Sequence, residues 1–322
     1  MTFWKAAAVA AMLFAGAAPG HAADYPSKDI TIVVGSPPGG PTDTFARLLA
    51  QPMQQKLGRA VIVENKPGAS GTVAGQAALA APADGHTLWF TTPSHFVIPT
   101  VMKSQPAFKR DAFRPIIGTM YGAGVLLANP KTPFSSLKEL VTYAKANPGK
   151  LNFASSGVGS TSHIVMEMVK AQLGIDVAHI PYNGNGPATA ALTSGEVDLL
   201  GGDLGSSAGA LKDKTVKPIA VFALERSPVI PDVPTADETG LMPGFAPVFY
   251  LGFVTRAETD KAIVDKLNAT VNEILKDKTI RERITGQQYI VMGGSPEDFS
   301  KLYENDAKQT GAIVTKLGLQ DK

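Results

Sequence analysis

The sequence predicts an α/β protein built on doubly wound parallel sheets. Short β-branched apolar runs recur along it, and each feeds a turn rich in Gly, Ser or Thr. After most of these turns the apolar residues switch to helical spacing, the alternation expected when strands and helices pack in layers. A length of 322 residues allows two domains of ordinary size.

Met1 to Ala22 reads as a secretory signal. Lys5 supplies the charge, Ala6 to Ala18 is mostly apolar, and Gly20-His21-Ala22 places small residues where cleavage needs them. The mature protein is expected to begin near Ala23 and to work outside the cytoplasm, in the periplasm. No later run reaches the roughly 18 apolar residues of a membrane span. The formal net charge of +2 falls by one without Lys5, which offers no field for nucleic acid and no polybasic anchor. Without cysteine there is neither a disulfide nor a thiol nucleophile, so stability must come from the core.

The first unit is the clearest. Ile30 to Val34 suits a strand buried on both faces, Gly35 to Pro41 breaks it, and Thr42 or Asp43 can cap a helix carrying Phe45, Leu48, Leu49 and Met53. A kink is expected at Pro52. Val61 to Asn65 is a second strand, Lys66 to Gly71 a second glycine turn, and Thr72 to Ala81 an Ala-rich helix. Thr87 to Thr92 is a third strand ending in a Pro93-Ser94-His95 loop. Ile116 to Asn129 reads as a strand crossing between domains, bent at its glycines, and Ser135 to Glu139 opens a helix in capping-box style.

A second series follows. Leu151 to Ala154, Val177 to Pro181, Val197 to Leu200 and Pro218 to Ala223 read as strands, with helices over His163 to Leu173 and Pro187 to Thr193. Gly201-Gly202-Asp203 reads as the turn after the third of these strands. Val248 to Val254 is the return crossing. The tail is helical, with Ile263, Leu267, Val271 and Ile274 on one face, then Pro296 to Leu317 as one helix or two.

Two loops carry candidate chemistry. A strand, a glycine turn and a helix start present unpaired N–H groups that suit an anion. The Gly35 to Gly40 spacing imitates a phosphate loop, but Pro41-Thr42 stands where a lysine and a hydroxyl are required, which rejects a nucleoside triphosphate. Ser155 to Ser162 imitates a dinucleotide fingerprint with Ser162 in place of its third glycine, so a hydroxyl-lined carboxylate site fits better than a nucleotide. Ordinary tight or Ser-rich capping turns remain the plain alternatives. No Gly-x-Ser-x-Gly elbow occurs, and the five histidines form no pair at metal-ligand spacing. His95 can donate to a ligand from a strand end, His163 suits a helix cap, and His179 suits a satisfied core position. Asp203 can accept from a ligand or cap a helix. Phe249 and Tyr250 are core residues first and cleft walls second. The residues alone point to an exported binding protein without a catalytic set or cofactor.

Ordered motifs from Tyr25-Pro26 onward make the chain resemble the Bug family, the extracytoplasmic receptors of tripartite tricarboxylate transporters. They include Pro37-Pro38-Gly39-Gly40-x-x-Asp43, Val63-Glu64-Asn65-Lys66-Pro67-Gly68-Ala69-x-Gly71, Ala83-Asp84-Gly85-x-Thr87-Leu88, His179-Ile180-Pro181-Tyr182 and Gly195-Glu196-Val197-Asp198. The resemblance implies a type II periplasmic-binding-protein fold, with residues 23–122 and 247–322 in one domain and 123–246 in the other. It implies a small carboxylate held by Pro38, Gly39, Gly40, Pro41, Thr42 and Asp43 from the first loop. Ser155, Ser156, Gly159, Ser160 and Thr161 would grip it from the second, with Ser94, His95 and Asp203 at other strand ends. It also implies a monomer that delivers its ligand to a membrane permease; a sensor subunit and an exported hydrolase or lyase are the rival readings. Gly35-Ser36 stands where the family carries an aromatic residue, which suggests room for a larger or aromatic acid.

Overall fold

The structure, a computed structural model, describes residues 25–321 except 224, 246 and 317. The secretory-signal reading lies outside these residues.

The chain begins with β1 (Ile30–Val34), α1 (Pro41–Leu57), β2 (Val61–Asn65), α2 (Thr72–Ala80), β3 (Thr87–Thr91) and two short helices, α3 (Pro93–Phe96) and α4 (Ile98–Met102). The long β4 (Phe113–Ala128) leads into α5 (Leu137–Ala146), β5 (Leu151–Ser155), α6 (Thr161–Leu173), β6 (Val177–Pro181), α7 (Asn185–Ser194), β7 (Leu199–Asp203), α8 (Leu204–Lys212) and β8 (Lys217–Phe222). The chain returns through β9 (Val248–Arg256) to α9 (Lys261–Ile274), α10 (Lys278–Thr285), β10 (Tyr289–Val291) and α11 (Pro296–Lys316).

The strand order is β2-β1-β3-β9-β4-β7-β5-β6, with β8 and β10 also paired to β4. β1 lies parallel to β2 and β3, and β5 parallel to β6 and β7. Every pairing made by β4 or β9 is antiparallel. The doubly wound α/β reading stands, with the crossing strands antiparallel to their neighbours. Two parallel trios are joined through an antiparallel centre, because β4 and β9 run in opposite directions past each other.

β4 serves both sides. Phe113 to Ala123 pair with β9, whereas Gly124 to Ala128 pair with β7 and β8. The handover needs a glycine: a Cβ on Gly124 would lie 2.9 Å from the Phe222 Cβ and 3.0 Å from the Phe249 ring. Separate cores flank the two trios. One packs Phe45, Leu49, Phe90, Leu267 and Ile284, and its opposite face gathers Trp89, Phe96, Phe113 and Phe299. The other trio buries Phe153, Met166 and Phe222 on one face and Leu127, Leu192 and Leu204 on the other.

Local signals explain the helix ends. Ser136 accepts from the Glu139 N–H at 3.3 Å while Glu139 accepts from the Ser135 N–H at 2.7 Å, the reciprocal cap expected for α5. Gly58 closes α1 at φ 70°. The structure differs from expectation at other ends. Gly40, not Thr42 or Asp43, is the N-cap of α1, because Pro41 already has the fixed φ of a first helical residue. α1 stays helical through Pro52. Pro93-Ser94-His95 forms a helical turn, and α6 starts at Thr161 behind the Ser160 cap, two residues before His163. Gly201-Gly202-Asp203 belongs to β7 itself.

Candidate functional site

The two anion-friendly loops lie at strand ends. In the first, the Asp43 carboxylate sits in the first turn of α1 and reaches back to accept the Gly39 N–H at 2.9 Å. It also accepts from Arg47 Nε at 3.0 Å and Asn65 Nδ2 at 2.9 Å. Asn65 Nδ2 holds the Ser36 carbonyl at 3.0 Å as well, so the end of β2 ties down both sides of the glycine turn. Burial pushes the Asp43 pKa up, but the hydrogen bonds from Arg47, Gly39 and Asn65 outweigh it and hold the carboxyl below its ordinary value. Asp43 is thus a brace for the loop whose own oxygens are occupied. Pro41 lacks an N–H, and the amides of Thr42 and Asp43 have no intrahelical acceptor in this first turn.

Behind this loop stands His95. A Cβ on Gly35 would fall 2.9 Å from His95 Nδ1, and one on Gly71 only 2.4 Å from His95 Cβ. The space beside Gly35 is therefore filled by an imidazole. His95 Nδ1 and Ser36 Oγ are buried and have no partner among the described residues. Buried polar atoms are rarely left so in a finished structure. Burial also drives the His95 pKa down to about 4.

In the second loop the side chains bond among themselves. Ser160 Oγ accepts the His163 N–H at 3.2 Å and caps α6, and the Ser156 N–H reaches Ser162 Oγ at 3.0 Å. Ser155 Oγ lies 2.6 Å from His179 Nε2. Gly159 takes φ +72°, which leaves its N–H donating to His163 Nδ1 at 3.1 Å.

The structure brings the two sets together. Ser94 Oγ accepts the Thr161 N–H at 2.8 Å and lies 2.5 Å from its Oγ1. Ser70 Oγ donates to the Val158 carbonyl at 3.3 Å. Asp203 is 5 % exposed, caps α8 through Ser206 and accepts the Tyr289 hydroxyl at 2.6 Å, so its oxygens too are occupied. Pro38 and Gly39 are exposed at the rim. An open cavity of about 560 Å³ is lined by Gly39, Gly40 and Pro41 on one side and by Asn185, Gly186 and Ser206 among others on the opposite side. The start of α1 therefore faces the length of α7, from Asn185 to Ser194, and Ser206 in α8, while Ser94, His95 and the Ser155–Thr161 loop are not on the cavity lining.

The sequence reading missed Ser36, Asn185, Gly186 and Ser206. Gly184-Asn185-Gly186 after a strand was a readable helix-start signal; the burial of Ser36 Oγ was not readable, because it depends on the packing around it. Among the described residues no group of three or more His, Cys, Asp or Glu is placed to hold a metal ion, and no helix is long and apolar enough to cross a membrane.

The model of the tripartite tricarboxylate transporter family receptor matches residues 45–319. The chain belongs to that family. Among solved structures, the Rhodopseudomonas palustris protein Rpa4515 with adipate is 28% identical, with a TM-score of 0.85 over 92% of this chain and 99% of that one. MatC from the same organism, with bound malate, is 33% identical, with a TM-score of 0.83 over 90% of this receptor-family chain and 100% of its own. The periplasmic binding protein BugD is 31% identical, with a TM-score of 0.83 over 92% and 99%. The periplasmic-binding-protein fold and the Bug resemblance both stand.

Three histidines, His163 buried and His95 and His179 partly buried, give this receptor a pH signature. His95, His163 and His179 are each held down to about 4, in every case first by burial. Unfolded, each titrates near 6.5, so between these values the unfolded chain binds more protons and stability rises with pH. The stabilisation is complete above the unfolded pKa and is lost as pH falls toward 4. For His95 alone the loss is at most on the order of 3 kcal/mol, at about 1.4 kcal/mol per unit. Urea titrations across this window should show it, and His95→Gln should flatten the slope.

Proposed function

We propose that this chain is a periplasmic receptor that captures a small dicarboxylate between two domains and delivers it to a membrane permease. The observation that carries the reading is the cavity between the start of α1 and α7, with the orphaned Ser36 Oγ and His95 Nδ1 beside the α1 start. Helix starts favour anions, and the Thr42 and Asp43 amides in the first turn of α1 suit a carboxylate. The volume lies in the range of small-molecule sites. Malate and adipate in the two neighbours are both dicarboxylates, which supports the same class here.

On this reading residues 23–122 and 247–322 form one domain and 123–246 the other, hinged at β4 and β9. The bonds from Ser94 to Thr161, Ser70 to Val158 and Tyr289 to Asp203 belong to the closed arrangement, which a ligand bridging both sides would favour. Residues 1–22 would direct export, and no catalytic step is assigned. A thermal-shift screen of aliphatic and aromatic mono-, di- and tricarboxylates tests the class. A ligand at about 100 times its dissociation constant adds roughly 2.7 kcal/mol. Shifts from dicarboxylates that vanish on amidation support the reading, and equal shifts from acid and amide contradict it.

A further inference from the structure

Two walls of the cavity are joined through one buried side chain, Tyr289. β10 pairs with β4 so that Tyr289 lies opposite Gly122, just ahead of the handover at Gly124. The residue is 4 % exposed, and two glycines leave room for its ring. A Cβ on Gly122 would lie 3.1 Å from Cε1, and one on Gly205 in α8 would overlap Cε2 and lie 2.6 Å from Cζ. The ring also meets Phe45 of α1 edge to face, with centroids 5.0 Å apart and planes at 79°. Phe45 follows Pro41 by one turn of that helix, and Pro41 lines the cavity.

The hydroxyl completes the join to the opposite wall. Tyr289 Oη donates to Asp203 Oδ1 at 2.6 Å. The same oxygen accepts the Ser206 N–H at 2.9 Å, and Asp203 Oδ2 accepts the Ser206 hydroxyl at 2.7 Å. Ser206 lines the cavity, so a single carboxylate stands between Tyr289 and the lining. Burial, and then the Asp203 carboxylate, push the Tyr289 hydroxyl well above its ordinary pKa, so it keeps its proton and serves as the donor.

We propose that Tyr289 is a positioning residue for ligand capture: its ring, seated between Gly122 and Gly205 against Phe45, and its hydroxyl on Asp203 set the spacing between the α1 start and Ser206 and hold the closed arrangement. This rests on the receptor reading above. Loss of the hydroxyl removes a contact of the closed arrangement, so more of the protein stands open and the apparent affinity falls. A buried tyrosine that only fills the core would add to stability and leave affinity unchanged.

The test compares Tyr289→Phe, which keeps the ring and removes the donor, with Tyr25→Phe. Tyr25 is also 4 % exposed and donates to the Gly85 carbonyl at 2.7 Å, but neither it nor Gly85 lines the cavity. Both variants should lose stability in urea. Only Tyr289→Phe should bind malate and adipate about tenfold more weakly, the worth of one hydrogen bond to a charged group, and release them faster. Tyr25→Phe should stay within about twofold of wild type. The chain has no cysteine, so spin labels at the exposed positions Gln51→Cys on α1 and Lys212→Cys on α8 report the spacing of the two helices without any ligand. Their distances should shift to longer values in Tyr289→Phe and match wild type in Tyr25→Phe. Affinity of Tyr289→Phe within about twofold of wild type, an equal loss in Tyr25→Phe, or unshifted label distances overturns the proposal. If neither acid binds the wild type, the receptor reading fails, and the label distances alone decide the positioning role.

Discussion

Asp43→Ala is expected to destabilise the protein by about 2–3 kcal/mol and to weaken ligand binding at least about 100-fold. The carboxylate is 4 % exposed and joins Gly39, Arg47 and Asn65 across three elements. Its removal deletes charge-assisted bonds, which are stronger than neutral ones. Arg47 is half exposed and can turn to water, so the cost stays below that of a fully buried ion pair. The larger effect falls on function, because the Gly39 N–H loses its acceptor and the turn ahead of α1 loses its shape. Asp43→Asn should restore part of the stability, since the amide oxygen can still accept from Gly39. Urea titration and calorimetry on the three proteins separate the two effects.

Gly40→Phe is expected to do the opposite: abolish binding while leaving stability within about 0.5 kcal/mol. Gly40 has φ −74° and ψ 166°, which any residue adopts, and an added Cβ would meet nothing closer than the Pro37 carbonyl at 3.7 Å. The backbone therefore accepts the side chain, and Gly40 lines the cavity the ring would enter. A melting temperature near that of wild type together with lost binding is the predicted pair of results. Unchanged affinity would remove this loop from the site.

The fold was legible where the sequence carried strong local signals. β1, its glycine turn and α1 follow from a β-branched run, Pro41 and helical spacing, and the Ser136–Glu139 cap follows from its residues. Short elements were not legible. α8 contains two glycines and two serines and follows β7 with no turn between, so nothing in its composition marks it. β10 has three residues and exists because β4 offers a free edge at Met120 to Gly122.

The glycine loop and the Ser/Thr loop were both marked by composition, but of the two only the glycine loop lines the cavity. Asp43, Ser155 and Asp203 were candidates for contact with a ligand, and the structure occupies each of them internally. Their partners, Asn65, His179 and Tyr289, lie 22, 24 and 86 residues away in sequence. No local pattern announces such pairs; only the sheet order brings them together. The same holds for His95, whose ring fills the space beside Gly35 because β1 and β3 are neighbours.

The central claim is that a carboxylate is held at the start of α1. Amide chemical shifts measured during titration with the acid that stabilises the protein most test it directly. The account predicts that the largest changes fall on Gly40, Thr42 and Asp43, with Asn185 and Gly186 following for a dicarboxylate. Saturable binding with those five amides unmoved would contradict it.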